Sequence, residues 1–415
     1  MPKGRDELLA ELDEKTDAAL DLLPDEARQQ AEAMLLAPNL IDLILSDIGA
    51  MGVVGEQPLA LTTYLIACSR LLLKPLAAIV QALSSSGKSF VISRIGQLIP
   101  LEAKVIATDI TANALYYMPQ GSLMHRFVQA GERRRGGDED YANVTRALRE
   151  MLEGGELYKM VTGKSADGKI ESHLVRQSGP IAYIESTTNT SLFDEDANRC
   201  LLLGTDETSA QTQRVVLAQG NAGAADPFDT TFIVNRHHAL QHMLKRVRVR
   251  VPFAPSIAKA IPTHLPQARR VMPQIMTMIQ ASALLHQRQR SNRELDHGDL
   301  INATAHDYVV ARTLLMSPLG RSLGGALANA VTEFAMRLRK QYGGEVFSST
   351  DALTHDAVLG SKSKVNSYLG ALANVGAAEC VEAAHGQKPA SWKLLKDPPK
   401  GGCLWLPDVT QLEGV

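Results

Sequence analysis

The sequence has little to staple it together. Its 415 residues include only four cysteines, Cys68, Cys200, Cys380 and Cys403. None lies close enough to another for a zinc or redox spacing. They read as free thiols of a reducing cytoplasm, in a chain long enough to bury a core without disulfides. A long apolar run is also missing. The most apolar stretch, Leu59 to Val80, is broken by Arg70, Lys74 and Pro75, too polar for a membrane span of about 20 residues. No membrane partner is therefore expected. The opening MPKGRDELLAELDEK is acidic and lacks the apolar segment of a signal peptide. With 31 glycines, 19 prolines and 21% charged residues, the composition excludes collagen-like, low-complexity and mainly disordered classes.

One further absence is local. Residues 236–293 contain no Asp or Glu, yet carry Arg236, Lys245, Arg246, Arg248, Arg250, Lys259, Arg269, Arg270, Arg288, Arg290 and Arg293. The formal net charge of −2 hides this segregation. Such a segment is an electrostatic footprint for a polyanion, or a helix with a solvated basic face.

Five regions follow from the patterning. Residues 1–56 read as acidic helices, with Leu8, Leu9, Leu12 and then Leu20, Leu22, Leu23 at helical spacing. Pro24-Asp25-Glu26 restarts a helix. Across 57–235, helices alternate with β-rich runs at 103–110, 123–130, 179–186 and 199–206, which predicts an α/β unit with a largely parallel sheet. GELYKMV and KIESHLV flank TGKSADG, and the Asp167-Gly168 step predicts a β-hairpin. Residues 236–317 form the basic helical lid or linker. Residues 318–398 have the rhythm of a winged helix-turn-helix. One helix ends at Gly360, Ser361 or Ser363 caps the next, and Val365, Tyr368 and Leu369 face inward. Lys362 and Lys364, at that second helix, are candidates for duplex DNA. The tail, 399–415, is expected to fray from its Pro- and Gly-rich start.

The sharpest motif is Gln81-Ala82-Leu83-Ser84-Ser85-Ser86-Gly87-Lys88-Ser89. It matches the phosphate-loop pattern G-x4-G-K-[ST], except that Ala82 holds the first glycine position. Backbone N–H groups of Ser84, Ser85, Ser86 and Gly87 would meet phosphate at a helix N-terminus. Lys88 would reach the β- and γ-phosphates of ATP, and the Ser89 hydroxyl would ligand Mg2+. LMHRFVQAGE supplies a strand ending at Glu132, a candidate base for the attacking water. Gly131 stands where such motifs usually carry Asp. A later strand ends in Ser186-Thr187-Thr188, whose hydroxyls could approach the γ-phosphate. Arg199 opens the next strand, the position from which ring ATPases project an arginine into a neighbour's site.

Taken in order, these segments resemble the AAA+ helicase domains of mobile elements and phages. Those domains are often found behind primase modules and are similar to the minichromosome-maintenance replicative helicases. The resemblance rests on VVGEQ with LTTYLIACSRLLLKPL, SSSGKS, ITANALYYMPQGSLMHRFVQAGE, RALREMLEGGELYKMVTGKSADGK, GPIAYIESTT and EDANRCLLLGTDETSAQTQRV. It implies an α/β P-loop AAA+ ATPase core with an N-terminal helical region and a C-terminal winged-helix domain. It implies catalytic roles for Glu132, Thr188 (or Thr187) and Arg199. A second sensor arginine would be Arg270, favoured over Arg269. Lys164 and Lys169, at the hairpin tip, would follow single-stranded DNA through a ring channel. The implied protein is a DNA helicase or translocase, a homo-oligomer and usually a hexamer, using ATP and Mg2+, with a primase or polymerase as further partners. The chain lacks the zinc-finger cysteines of primase-linked relatives, so priming is not expected. Two rival readings stay open: a DNA-dependent ATPase acting as initiator or loader, and a non-enzymatic scaffold with a degenerate loop.

Overall fold

The structure, a computed structural model, describes residues 3–111, 113–132, 139–164, 169–188, 199–226, 228–261, 268–290, 300–322, 329–355, 360–374, 376–385, 388–397 and 406–414. Three helices open the chain, Arg5–Asp21, Asp25–Leu36 and Leu40–Ala50. Pro24 precedes the second, with Asp25 and Glu26 in its first turn, where acids meet the positive end of the helix dipole. Helix Gln57–Ser69 is buried on all sides and leads to the sheet.

That sheet has five parallel strands, β1 (Ala77–Gln81), β2 (Lys104–Ala107), β3 (Arg126–Glu132), β6 (Ile181–Thr187) and β7 (Leu201–Leu203). Their order is β2-β3-β6-β1-β7. β1, β6 and β7 show unbroken burial rather than alternation, as parallel strands covered on both faces do. The hairpin expected around Asp167-Gly168 is formed by β4 (Glu156–Lys164) and β5 (Ile170–Ser178), antiparallel over nine residue pairs. The turn at 165–168 lies outside the described residues.

One apolar core runs from Ala31 through β1 and helix Ala268–Leu285 to Leu412. The expected boundary at 235/236 falls inside helix Thr231–Met243. The sheet unit and the basic region therefore share a core. Within the basic region two short strands, β8 (Arg248–Arg250) and β9 (Leu300–Asn302), pair in parallel. Residues 329–394 have a separate core of Phe334, Leu338, Phe347, Val365, Leu369 and Leu372 among others. Helices Asn329–Tyr342, Ser349–His355 and Lys362–Asn374 pack there on an antiparallel sheet. Its strands are β10 (Val346–Ser348), β11 (Ala378–Glu382) and β12 (Ser391–Leu394), in the order β10-β12-β11. The Ser361 hydroxyl accepts the Lys364 N–H at 3.3 Å, the expected cap.

Two expectations need correction. The tail does not fray where it is described. Leu406 and Leu412 are buried against the main core, Tyr308 donates to the Pro407 carbonyl at 2.7 Å, and Asp408 and Gln411 form a capping box. Local caps and apolar side chains outweigh the Pro/Gly composition. The basic region is also less free than its composition suggests. Lys245 pairs with Asp17 at 2.8 Å, Arg246 with Asp13 at 2.5 Å, Arg236 with Asp47 at 2.5 Å and Arg290 with Asp307 at 2.6 Å. Lys259 and Arg270 reach Glu413 and Glu153. All of these acids come from outside the segment, two of them from the acidic N-terminal helix. Arg248, Arg250, Arg269 and Arg288 stay exposed. Cys68 and Cys200 are buried and Cys380 is exposed; Cys403 lies outside the described residues. Among the described residues no helix is long and apolar enough to cross a membrane.

His125 shows how tightly the sheet is seated. It sits just before β3 at φ +53° and is only 4% exposed. Its N–H donates to the Pro180 carbonyl at 2.8 Å, and its Nδ1–H to the Arg70 carbonyl at 2.6 Å. Burial pushes its pKa down to about 4, from 6.5. A depressed histidine stabilises the fold fully above about pH 6.5, and that stability drains as pH falls to about 4, because only the unfolded chain takes the proton. The loss is on the order of 3 kcal/mol. His125→Asn, whose side chain tolerates positive φ, should flatten the stability-pH curve between pH 7 and pH 4. Urea melts across that range check this; an unchanged slope relative to wild type removes His125 as the cause.

Candidate functional site

β1 is a central strand, paired with β6 on one side and β7 on the other. The chain leaves it at Gln81 and turns through Ala82–Gly87 into helix Lys88–Gln97. Ser85 has φ +64° and Gly87 φ +87°, so two left-handed residues curl the loop before the helix. Glycine meets that demand without strain at position 87. Ser84 and Ser85 are exposed and the Ser86 hydroxyl is buried without a hydrogen-bond partner. Lys88 is 5% exposed, and its ammonium donates to the Leu83 carbonyl at 3.2 Å. Ser89, one residue into the helix, is exposed.

The neighbouring strands end at the same level. Gln81 pairs with Thr187, and the Ala82 N–H donates to the Thr187 carbonyl at 3.2 Å. Ser186 pairs with Val80 on one side and Glu132 on the other. The structure thus brings the 82–89 loop, Thr187 and Glu132 to the carboxyl edge of three adjacent strands. That edge is where open parallel sheets bind ligands. Glu132 is exposed, Thr187 is fully buried, and Thr188 is half-buried just beyond.

Gly131 has a packing reason. A Cβ there would stand 2.2 Å from the Thr108 carbonyl oxygen, and β3 shifts register between Gln129 and Glu132. Backbone fills the space an aspartate would need.

Arg199 lies at the other edge. It is two residues before Leu201, and Leu201 pairs with Ala78, so Arg199 is level with the start of β1. At ~3.3 Å per residue the loop begins roughly 15–20 Å further along. Arg199 Nε donates to Glu153 at 2.6 Å, and the Arg270 guanidinium stands 3.8 Å from the same Glu153 oxygen. The two arginines singled out in the sequence thus share one carboxylate. Asp194, Glu195 and Asp196, the acids that precede Arg199 in sequence, lie outside the described residues. Glu153 is engaged by this pairing.

Lys164 ends β4 and Lys169 directly precedes β5, at the far end of the hairpin; Lys169 is exposed. Lys362 is exposed at the first turn of its helix, and the Lys364 ammonium lies 5.8 Å from the Tyr368 ring centroid.

The sequence reading missed Glu207. One of its carboxylate oxygens accepts the Leu83 N–H at 2.8 Å, and the other accepts the Tyr368 hydroxyl at 3.0 Å. These partners lie 124 and 161 residues away, so no local spacing announces them. Among the described residues no group of three or more His, Cys, Asp or Glu side chains could hold a metal ion.

No family model matches the chain, and no curated protein matches it.

Gly131 yields a direct test. Gly131→Asp, which restores the acid usual in such motifs, should lower stability by about 1–3 kcal/mol through overpacking. It should not raise any ATP turnover. A thermal melt beside a turnover assay reads both; a stable, more active variant removes the packing explanation.

Proposed function

We propose that the chain is an ATPase of the AAA+ type that assembles into a ring and drives movement on DNA, as a helicase or translocase. The observation that carries this reading is the shared edge. A curled loop with a buried lysine follows β1, hydroxyls end its neighbour β6, and a carboxylate ends β3 on the far side of β6. Those are the parts phosphoryl transfer needs: a cradle of N–H groups, a cation on the transferring phosphate, and an acceptor for the proton of the attacking water. Left-handed turns at Ser85 and Gly87 suit an anion-binding concavity. The orphaned Ser86 hydroxyl and the exposed Ser89 hydroxyl fit the same ligand. Ser89 would hold Mg2+ beside the phosphates, and the ion would supply charge neutralisation there. Such sites use few protein ligands, so the absence of a carboxylate cluster among the described residues is no objection. Lys88 binds and orients phosphate, Glu132 takes the water's proton, and Thr187 or Thr188 orients the γ-phosphate.

The position of Arg199 and Arg270 supports the ring. They sit at the opposite edge from their own loop, so a trans role in the next subunit's site suits them. Closure of such a head-to-tail contact gives a ring, usually a hexamer. On this reading the β4–β5 hairpin carries Lys164 and Lys169 into the channel, where they grip phosphates of single-stranded DNA without reading bases. The helix–strand–helix–helix–strand–strand order of residues 329–394 supports the winged-helix reading, on which Lys362 and Lys364 would meet duplex DNA. Ala82 and Gly131 are the best support for a degenerate scaffold; the Thr108 carbonyl gives Gly131 a packing reason, and Ala82 keeps its weight for that rival.

Lys88→Ala should abolish ATP turnover. Glu132→Gln should keep ATP binding and stall hydrolysis by 10²-fold or more, as loss of a general base does. Turnover should rise with single-stranded DNA, and a forked duplex should be unwound; turnover without unwinding favours the initiator or loader. Normal hydrolysis by Glu132→Gln assigns the base elsewhere.

A mixing experiment tests the ring. Neither Lys88→Ala nor Arg199→Ala protein should hydrolyse ATP alone. Mixed in equal amounts they should recover about a quarter of wild-type activity by simple counting of intact interfaces. Full activity of Arg199→Ala alone takes Arg199 out of the site.

A further inference from the structure

We propose that Glu207 is a positioning residue through which the C-terminal unit sets the state of the Ala82–Gly87 loop. The proposal rests on the phosphate-loop reading above. Glu207 follows β7, the outer neighbour of β1, and so stands beside the loop without being part of it. Its two carboxylate oxygens are divided between two bodies. One accepts the Leu83 N–H at 2.8 Å, and the other accepts the Tyr368 hydroxyl at 3.0 Å. Charge-assisted bonds of this kind are stronger and more directional than neutral ones.

Leu83 is held from both sides. Its N–H goes to Glu207 and its carbonyl accepts from Lys88 at 3.2 Å. The lysine that would reach the phosphates is therefore one residue removed from the carboxylate that holds the C-terminal unit. Tyr368 is no loose surface group. It is 4% exposed and meets the Phe334 ring edge-on, centroids 5.6 Å apart, within the separate core of residues 329–394. A displacement of that unit must pull on Glu207 or break the bond. A carboxylate that loses the phenol turns towards water and releases the Leu83 N–H. Docking of the C-terminal unit thus keeps the first limb of the loop set, and undocking loosens it.

Glu207 touches no reacting atom in this arrangement, so its loss should appear in nucleotide affinity and KM rather than in kcat. Tyr368→Phe removes one hydroxyl and keeps the ring packing. Hydrogen exchange of the nucleotide-free full chain should show the 82–87 peptide exchanging several-fold faster in Tyr368→Phe. Peptides around Phe334–Leu338 should be unchanged. The KM for ATP should rise about five- to tenfold, the worth of one such hydrogen bond, with kcat within about twofold. Glu207→Ala should show the same pattern more strongly. Glu207→Gln, which can still accept from Leu83 and donate to the Tyr368 oxygen, should restore most of it. Equal loop exchange in wild type and Tyr368→Phe overturns the proposal, as does a fall in kcat with KM unchanged. A chain that binds no ATP even as wild type overturns the phosphate-loop reading instead, and the exchange comparison then decides the link between Tyr368 and the loop on its own.

Discussion

β1 has no free edge. β6 and β7 take its hydrogen bonds on either side, and its residues Ala77–Val80 are buried. The chain can leave this strand only at its carboxyl end. The residues that follow must therefore turn sharply in the gap between the ends of β6 and β7. Ser85 and Gly87 provide the turn, Thr187 accepts the first loop amide, and Glu207 takes the second. Because β3 pairs with the far side of β6, Glu132 arrives at the same edge through two ladders rather than through any direct contact with the loop. Moving β1 to an outer position would keep every motif in the sequence and dismantle the site.

Much of this was legible beforehand, for identifiable reasons. Apolar runs bounded by turn residues marked β2, β3, β6 and β7. Ser361 and Gly360 marked the start of helix Lys362–Asn374, because capping is a local interaction that spacing reveals. The loop was legible since its glycine, lysine and serine have fixed offsets. What stayed hidden depends on distant partners. Glu207 looks like any acid after a strand until Leu83 and Tyr368 approach it. Gly131 looked like a missing aspartate, and only the Thr108 carbonyl explains it. The tail misled for the same reason. Its composition argues for fraying, but Leu406 and Leu412 find the main core across the fold.

Charge segregation is a pattern whose meaning depends on what the fold sets opposite it. An acid-free stretch invites an external polyanion. Here part of the answer is internal, since Asp13 and Asp17 of the first helix reach Arg246 and Lys245. That helix has no buried residue, so it lies against the body through partial burial and ion pairs. Exposed pairs of this type contribute ~0–1 kcal/mol each. Opposite charge therefore explains where the helix lies better than how strongly it is held.

The same magnitude bears on Arg199 and Arg270. Glu153 is about half exposed, and a half-exposed carboxylate gives up an arginine at small cost. A triphosphate offers a far denser charge in a drier setting, where each interaction counts for more. The pairing within one chain therefore does not argue against a role between chains. It keeps two guanidiniums together at one edge. The distance along β1 does the rest: a residue level with Leu76 stands roughly 15–20 Å before the loop that begins at Ala82 of its own chain. Under the proposed ring, that distance is why Arg199 is assigned to a neighbour's loop rather than its own.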